Sequence, residues 1–319
     1  MKILVTGGAG FIGSNVVDAY IEAGHNVVIV DNLYSGKREN INPDAKFYLL
    51  DIRSEEFEKV LEIEKPDIIN HHAAQISVPY SVENPSFDAS VNIMGMINIL
   101  EASRKTGIKK IIFISSGGAI YGEADICPTP EDYDAKPLSP YAIAKFVSEK
   151  YLAFYEHQYG LKYTVLRYAN VYGPRQIPQA EAGVVAIFMD NLINSKPCTI
   201  FHYPDEPRGM IRDYCFVGDI VQANLLALDK GDGEIINIGT GKGTRTRELF
   251  DVVFDQMSKV LPDLDPSLKE PKLAPARAGD IKKSCLKVDK AKDILGWKAQ
   301  HSLEQGIEKT VNWRIASLK

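Results

Sequence analysis

Four cysteines in 319 residues, Cys127, Cys198, Cys215 and Cys285, form no Cys-x-x-Cys pair. Their scatter predicts reduced thiols rather than a zinc ribbon or a disulfide framework. An excess of basic charge is missing too. Lys and Arg number 37 against 42 Asp and Glu, for a net charge of -5 and a pI near 5.8. That balance argues against a nucleic-acid groove. No apolar run reaches the roughly 20 residues of a membrane-spanning helix. The chain runs straight into a strand-like segment with no charged leader, so no signal peptide is expected and a cytoplasmic location is. Internal repeats and low-complexity stretches are absent. What is present, 45% hydrophobic and 25% charged residues, is the composition of a globular protein long enough for a large core and two lobes.

The first half alternates two periodicities. Apolar runs at 3–6, 27–30, 47–50, 68–70, 111–115 and 163–167 read as strands, and helical patterns lie near 11–23, 55–63, 90–105 and 141–159. Repeated strand–helix units with wholly apolar strands predict an α/β fold, a doubly wound parallel sheet of the Rossmann kind covered on both faces. Ligands of such sheets bind beyond the carboxyl ends of the strands. The pattern changes after about Tyr172. A helix at 184–194, a Pro-rich aromatic loop at 201–207, an extended connection with four prolines at 261–276 and short helices at the end predict a smaller α/β lobe. The expected division is 1–172 for the nucleotide-binding domain and 173–319 mainly for the substrate lobe, with some segments returning to the first.

Thr6-Gly7-Gly8-Ala9-Gly10-Phe11-Ile12-Gly13 follows the first strand and opens the first helix. Gly7, Gly10 and Gly13 let the backbone turn tightly against a pyrophosphate at a helix N-terminus. The second strand ends in Asp31, the right distance on to accept hydrogen bonds from an adenosine ribose and to repel a 2′-phosphate, which selects NAD. Asp51 and Ile52 end another strand, near the expected adenine edge. In His71-His72-Ala73-Ala74-Gln75 the small residues let the chain pass under a cofactor. His71 and His72 invite a metal reading, but strand neighbours point to opposite faces and no partner ligands are spaced around them, so no metal is expected. Tyr141 and Lys145 share one helical face at a spacing of four. An ammonium there favours a phenolate. Moving a tyrosine from a pKa of about 10 to about 7 needs roughly 4 kcal/mol.

With these motifs in place the chain resembles the extended short-chain dehydrogenase/reductase family, most closely its UDP-glucose 4-epimerases. Further points of likeness are Asp31-Asn32-Leu33, Asn92, the 115–122 strand end, the 166–175 segment ending Gly173-Pro174-Arg175, the 183–188 segment, Arg212-Asp213-Tyr214 and Arg277-Ala278-Gly279-Asp280. The resemblance implies bound NAD and a UDP-sugar whose C4 centre is inverted through a transient 4-keto sugar. Tyr141 would take the proton of the 4-hydroxyl, and Lys145 would hold the nicotinamide ribose and lower the tyrosine pKa. Phe11, Ile12, Asn32, Ser35, Gly36, Ala73, Ala74, Gln75, Asn92, Ser115 and Tyr168 fall at cofactor positions. Ser77, Ser116, Gly117, Asn170, Val184, Val185, Phe188, Arg212, Arg277, Asp280 and Ser284 fall at substrate positions. Two arginines facing a diphosphate suit bidentate recognition. A homodimer built on the helices near 90–105 and 141–159 is also implied, although Val91, Ile97, Leu100, Phe146, Leu152 and Phe154 suit a core equally well.

The family usually sets a Ser or Thr hydroxyl beside the tyrosine, and counting back from Tyr121-Gly122 that place falls on Gly117. Ser116 reaching in, a water beside Gly117, or direct contact by Tyr141 are the expected substitutes. The acid–base pair of the related dehydratases is absent at Gly117-Gly118, which removes dehydration. A small residue at Ser284 is expected to admit a C2 N-acetyl group. Another nucleotide-sugar epimerase, such as one acting on UDP-glucuronate, and a non-catalytic NAD-binding sensor remain as alternatives. The aromatics of the loop 202–211 suit packing or a pocket lip.

Overall fold

The structure, a computed structural model, describes residues 1–178, 183–277 and 280–318. Ala278 and Gly279 of the Arg-Ala-Gly-Asp motif lie outside the described residues. In chain order the first half holds β1 (Lys2–Thr6), α1 (Phe11–Glu22), β2 (Asn26–Asp31), β3 (Lys46–Leu49), α2 (Glu56–Glu64) and β4 (Ile68–His71). Two short helices follow, α3 (Val78–Glu83) and α4 (Pro85–Ala89). A π-helical turn at Ser90–Met94 then leads into α5 (Gly95–Thr106), β5 (Lys110–Ser116) and the single-turn α6 (Gly117–Ile120). The long α7 (Pro140–Tyr159) and β6 (Lys162–Tyr168) come next. Beyond them lie β7 (Asn170–Tyr172), α8 (Val184–Ile193), β8 (Thr199–His202), β9 (Ile211–Phe216), α9 (Val217–Ala227) and β10 (Glu234–Ile238). The chain ends with β11 (Gly243–Arg245), α10 (Thr246–Val260), β12 (Lys272–Pro275), β13 (Lys283–Ser284) and α11 (Leu303–Ala316).

Seven strands make one parallel sheet in the order β10-β6-β5-β4-β1-β2-β3. The order reverses between β1 and β4, which opens the crevice where such sheets take ligands. Each face is covered, so the inner strands are apolar without alternation. One layer packs Val16, Val17 and Tyr20 of α1 with Ile220 and Ala223 of α9. The other packs Phe57 and Leu61 of α2, Ile99 and Leu100 of α5, and Leu152 of α7. β10 and α9 therefore bring a stretch from beyond residue 172 back to this sheet. A second, four-stranded sheet joins β7, β11 and β13 to β9, and α8, α10 and α11 share a separate core with Phe188, Phe250 and Val311.

Local chemistry sets the helix that carries the tyrosine and lysine. Ser139 caps α7 by accepting the Ala142 N–H, Pro140 takes the first position, and Gly160 at φ +71 ends it. The helix expected at 90–105 begins as the π-helical turn, and the expected connection at 261–276 contains a strand. β12 pairs in parallel with β8, Lys272 opposite Thr199. Its proline stands on an edge, where no N–H is required, and a partner some seventy residues away leaves no local mark in the sequence.

Candidate active site

The glycine turn after β1 packs backbone against backbone. Gly7 has φ +70, and a Cβ there would lie 2.6 Å from the Ala73 nitrogen. At Gly13 a Cβ would come 2.2 Å from the Gly7 oxygen. No side chain caps α1, so its first amides are left for an anion. Asp31 closes β2 and is 7% exposed. Its oxygens accept from Ala9 N at 3.0 Å and Leu33 N at 2.8 Å. Burial pushes this carboxyl up from its usual range, against those two N–H groups. The free lone pairs suit ribose hydroxyls, and a carboxylate with no cation partner among the described residues disfavours a phosphate. The residues present thus fit a dinucleotide. Gly36 packs onto Asp31, its Cβ place 2.9 Å from Oδ1, and Ser35 beside it is exposed. Asp51 is already engaged: Arg53 donates to both oxygens at 2.9 and 2.8 Å and Asn32 to one at 3.0 Å, and Arg53 holds the carboxyl down at about 2. Ile52 is buried under Gly95.

Tyr141 and Lys145 stand one turn apart on α7, with the lysine 4% exposed. Its ammonium donates to the Ile114 carbonyl at 2.8 Å and lies 4.8 Å from the Phe113 ring centroid and 5.9 Å from that of Tyr141. Burial pulls the ammonium down to about 8, against the opposing fields of Asp88 and Glu149. Two neutral histidines close this corner. His71 meets the Thr6 hydroxyl through Nδ1 at 2.7 Å, and burial with the Lys145 charge holds it well below its usual value and His72 at about 3.

Glu149 continues the same stripe at the same spacing of four, a signal present in the sequence and missed. It is 1% exposed, accepts the Ser115 hydroxyl at 2.6 Å, and receives Arg167 Nε and Nη2 at 2.9 and 2.6 Å. The hydroxyl of Ser115, expected at the cofactor, is therefore committed to Glu149. Gln75 and Asn92 are committed likewise. The Asn92 amide clamps the Gln75 main chain with two bonds of 2.9 Å, and both side chains donate to Asp88. Ala73 and Ala74 stay half-exposed at the crevice, and Ser77 caps α3. Tyr168 does not present its ring to the crevice. Its hydroxyl is buried on Asn224 at 2.6 Å, because β6 turns that face to the core.

The expected space beside Gly117 is full. A Cβ there would lie 2.6 and 2.8 Å from Cδ1 and Cδ2 of Leu286, a residue 1% exposed, so Leu286 stands where a side chain at 117 would begin. Gly118 is the open glycine, its Cβ place 3.4 Å from Asn170 Oδ1. Ser116 is half-buried just before α6.

The four-stranded sheet gathers the substrate candidates. Ser284 of β13 pairs with Arg212 of β9, and Asn170 of β7 with Tyr214. The half-buried Arg212 donates to the Ile211 carbonyl at 2.9 Å and the Met210 sulfur at 3.5 Å, with no carboxylate partner among the described residues. Burial lowers its pKa, as expected for a guanidinium awaiting an anion. Arg277 sits 4.8 Å over the Phe201 ring and pairs with Asp280 at 3.2 Å. Tyr203 donates to the Asp280 carbonyl, so part of the aromatic loop braces this arm. Val185 and Phe188 are each 1% exposed. Their side chains pack in the lobe core, Phe188 edge-on to Phe250 at 5.3 Å, while Val184 at the helix start stays half-exposed.

Residues 3–239 match the model of the NAD dependent epimerase/dehydratase family, and the chain belongs to that family. It is 50% identical to a UDP-glucose 4-epimerase solved with UDP-glucose from Thermotoga maritima, covering 100% of both chains at a TM-score of 0.93. A Thermus thermophilus UDP-glucose 4-epimerase solved with NAD is 42% identical over 98% of each chain, with a TM-score of 0.90. A UDP-N-acetylglucosamine 4-epimerase from Methanobrevibacter ruminantium in complex with UDP-N-acetylmuramic acid is 35% identical, covering 99% of this chain and 98% of that one, at 0.89.

Proposed function

We propose that this protein is an NAD-dependent UDP-hexose 4-epimerase. The observation that carries the reading is the buried Lys145 ammonium 5.9 Å from the Tyr141 ring, on a helix beside the glycine turn and Asp31. Bound NAD supplies the oxidising and reducing equivalent at the sugar C4 and is restored in each cycle. Tyr141 takes the proton of the 4-hydroxyl and returns it to the same oxygen once C4 is inverted, while Lys145 stabilises its phenolate. Leu286 fills the usual relay place, so Tyr141 meets the sugar proton directly or through Ser116. Arg212 and Arg277 hold the diphosphate, which leaves the 4-keto hexose free to turn between its two faces.

Ser284 pairs with Arg212 and is small, and we read it as admitting a C2 N-acetyl group, so the reading includes the UDP-N-acetylhexosamine pair. Likeness to the Methanobrevibacter ruminantium enzyme supports this extension. Purified protein given UDP-galactose and no added cofactor should form UDP-glucose. Protein that contains NAD but converts no UDP-sugar would instead support a sensor without turnover, the reading that the missing hydroxyl at 117 favours.

We also propose a homodimer through α5 and α7. Leu100 and Leu152 are spent in the core, but Met94 just before α5 and Ile143 and Phe154 of α7 are 58, 46 and 49% exposed. Light scattering after size exclusion should give twice the chain mass. No described helix is long and apolar enough to cross a membrane, and a cytoplasmic location suits the reduced cysteines.

A further inference from the structure

Asp88 is a sealed acid that the proposed chemistry does not use. It is 1% exposed. Oδ1 accepts from Gln75 Nε2 at 2.7 Å and Asn92 Nδ2 at 3.0 Å, while Oδ2 is buried with no hydrogen-bond partner. The π-helical turn at Ser90–Met94 helps fix it. There the Asn92 carbonyl accepts the Ser148 hydroxyl of α7 at 3.1 Å. A buried carboxylate with one bare oxygen is costly unless a cation offsets it.

Asn92 ties Asp88 to α7 one turn beyond Lys145, donating to Asp88 and accepting the Ser148 hydroxyl, and Lys145 and Asp88 form no ion pair among the described residues. Other titratable groups stand around Lys145 as well. From β4 come His71 and His72, both neutral. From its own helix come Tyr141 and Glu149, and from β6 comes Arg167. Glu149 and Arg167 neutralise each other at 2.6 Å. Among the described residues Asp88 is the carboxylate acting on Lys145 that has no cation of its own; burial pushes its carboxyl up from the usual range, against the Gln75 and Asn92 amides and the Lys145 charge.

We infer that Asp88 is a positioning residue whose negative charge keeps Lys145 protonated in its buried place, and so sustains the field that makes Tyr141 a base. The inference rests on the role given to Tyr141 above. Asp88→Asn tests it, since the amide keeps the shape and the two bonds at Oδ1. The alkaline limb of the kcat–pH profile should move down by about one unit, the lower end of the effect of a nearby opposite charge. Activity near pH 8.5 should then fall several-fold, with activity near pH 6.5, NAD content and melting temperature close to the parent. Should the asparagine variant fold poorly, Asp88→Ser leaves a space that water can fill and serves the same comparison. An unmoved limb with a uniform loss at all pH values would make Asp88 a packing residue and overturn the inference. Tyr141→Phe separates the two claims. Loss of turnover at every pH upholds the base, and retained turnover overturns the base assignment and this inference with it.

Discussion

Gly117→Ser tests whether Leu286 fills the relay place. The new Cβ would start 2.6 and 2.8 Å from the two Leu286 methyls, against a normal carbon contact of about 3.5–4.0 Å. Leu286 has little freedom to yield. It is 1% exposed, and the chain on both sides is tied down, with Thr129 N donating to Cys285 O at 2.8 Å and Lys287 N to Thr129 O at 2.9 Å. Overpacking of this kind costs about 1–3 kcal/mol. Leu286→Ala alone opens a cavity and costs about 2–5 kcal/mol. In the double variant the serine occupies part of that cavity, so the two losses should fall short of their sum by about 1–2 kcal/mol. Melting in excess NAD reads this out, at roughly 2 °C per kcal/mol for a chain of this size. A fully additive double variant, or a Gly117→Ser variant as stable as the parent, would show that Leu286 does not occupy that space.

Three further outcomes follow from the same geometry. Glu149→Gln leaves the buried Arg167 without its counter-charge and should cost about 3–5 kcal/mol; denaturation that shows less than 1 kcal/mol would deny the pair its structural role. Lys145 at about 8 should give an activity that falls as pH rises through about 8, because the charged form is the working one. Its effect on stability runs the other way. The unfolded lysine titrates near 10.4, so between about 8 and 10 the unfolded chain holds more protons and the Lys145 contribution rises with pH. Melting curves of Lys145→Met should lack that rise, and parallel curves would refute the burial argument. Ser284→Tyr should abolish turnover of UDP-N-acetylgalactosamine and largely spare UDP-galactose in a coupled assay, and equal losses on both would remove Ser284 from the specificity role.

The parallel sheet, the glycine turn, Asp31 and the Tyr141–Lys145 stripe were legible in the sequence because each rests on local chemistry. Wholly apolar runs mark strands buried on both faces, a glycine is required where a Cβ would strike backbone, and a spacing of four shares a helix face. Burial and partner choice were not legible in the same way. Ser115, Asn92 and Tyr168 were expected at the cofactor, yet Glu149, Gln75 and Asn224 take up their polar groups, and those partners lie far along the chain or on another element. Phe188 was expected at the substrate and packs against Phe250 instead, since a helix start and a helix core look alike in an apolar run.

Sequence by itself determined which residues could do chemistry here, because reactivity belongs to side-chain type and local spacing. Only the tertiary structure decided how they are tuned. It brought Leu286 from near the far end of the chain against Gly117, buried Asp88 with one bare oxygen near α7, and left Arg212 without a carboxylate partner among the described residues. Each of these depends on desolvation and contacts between distant segments, and a linear pattern carries neither.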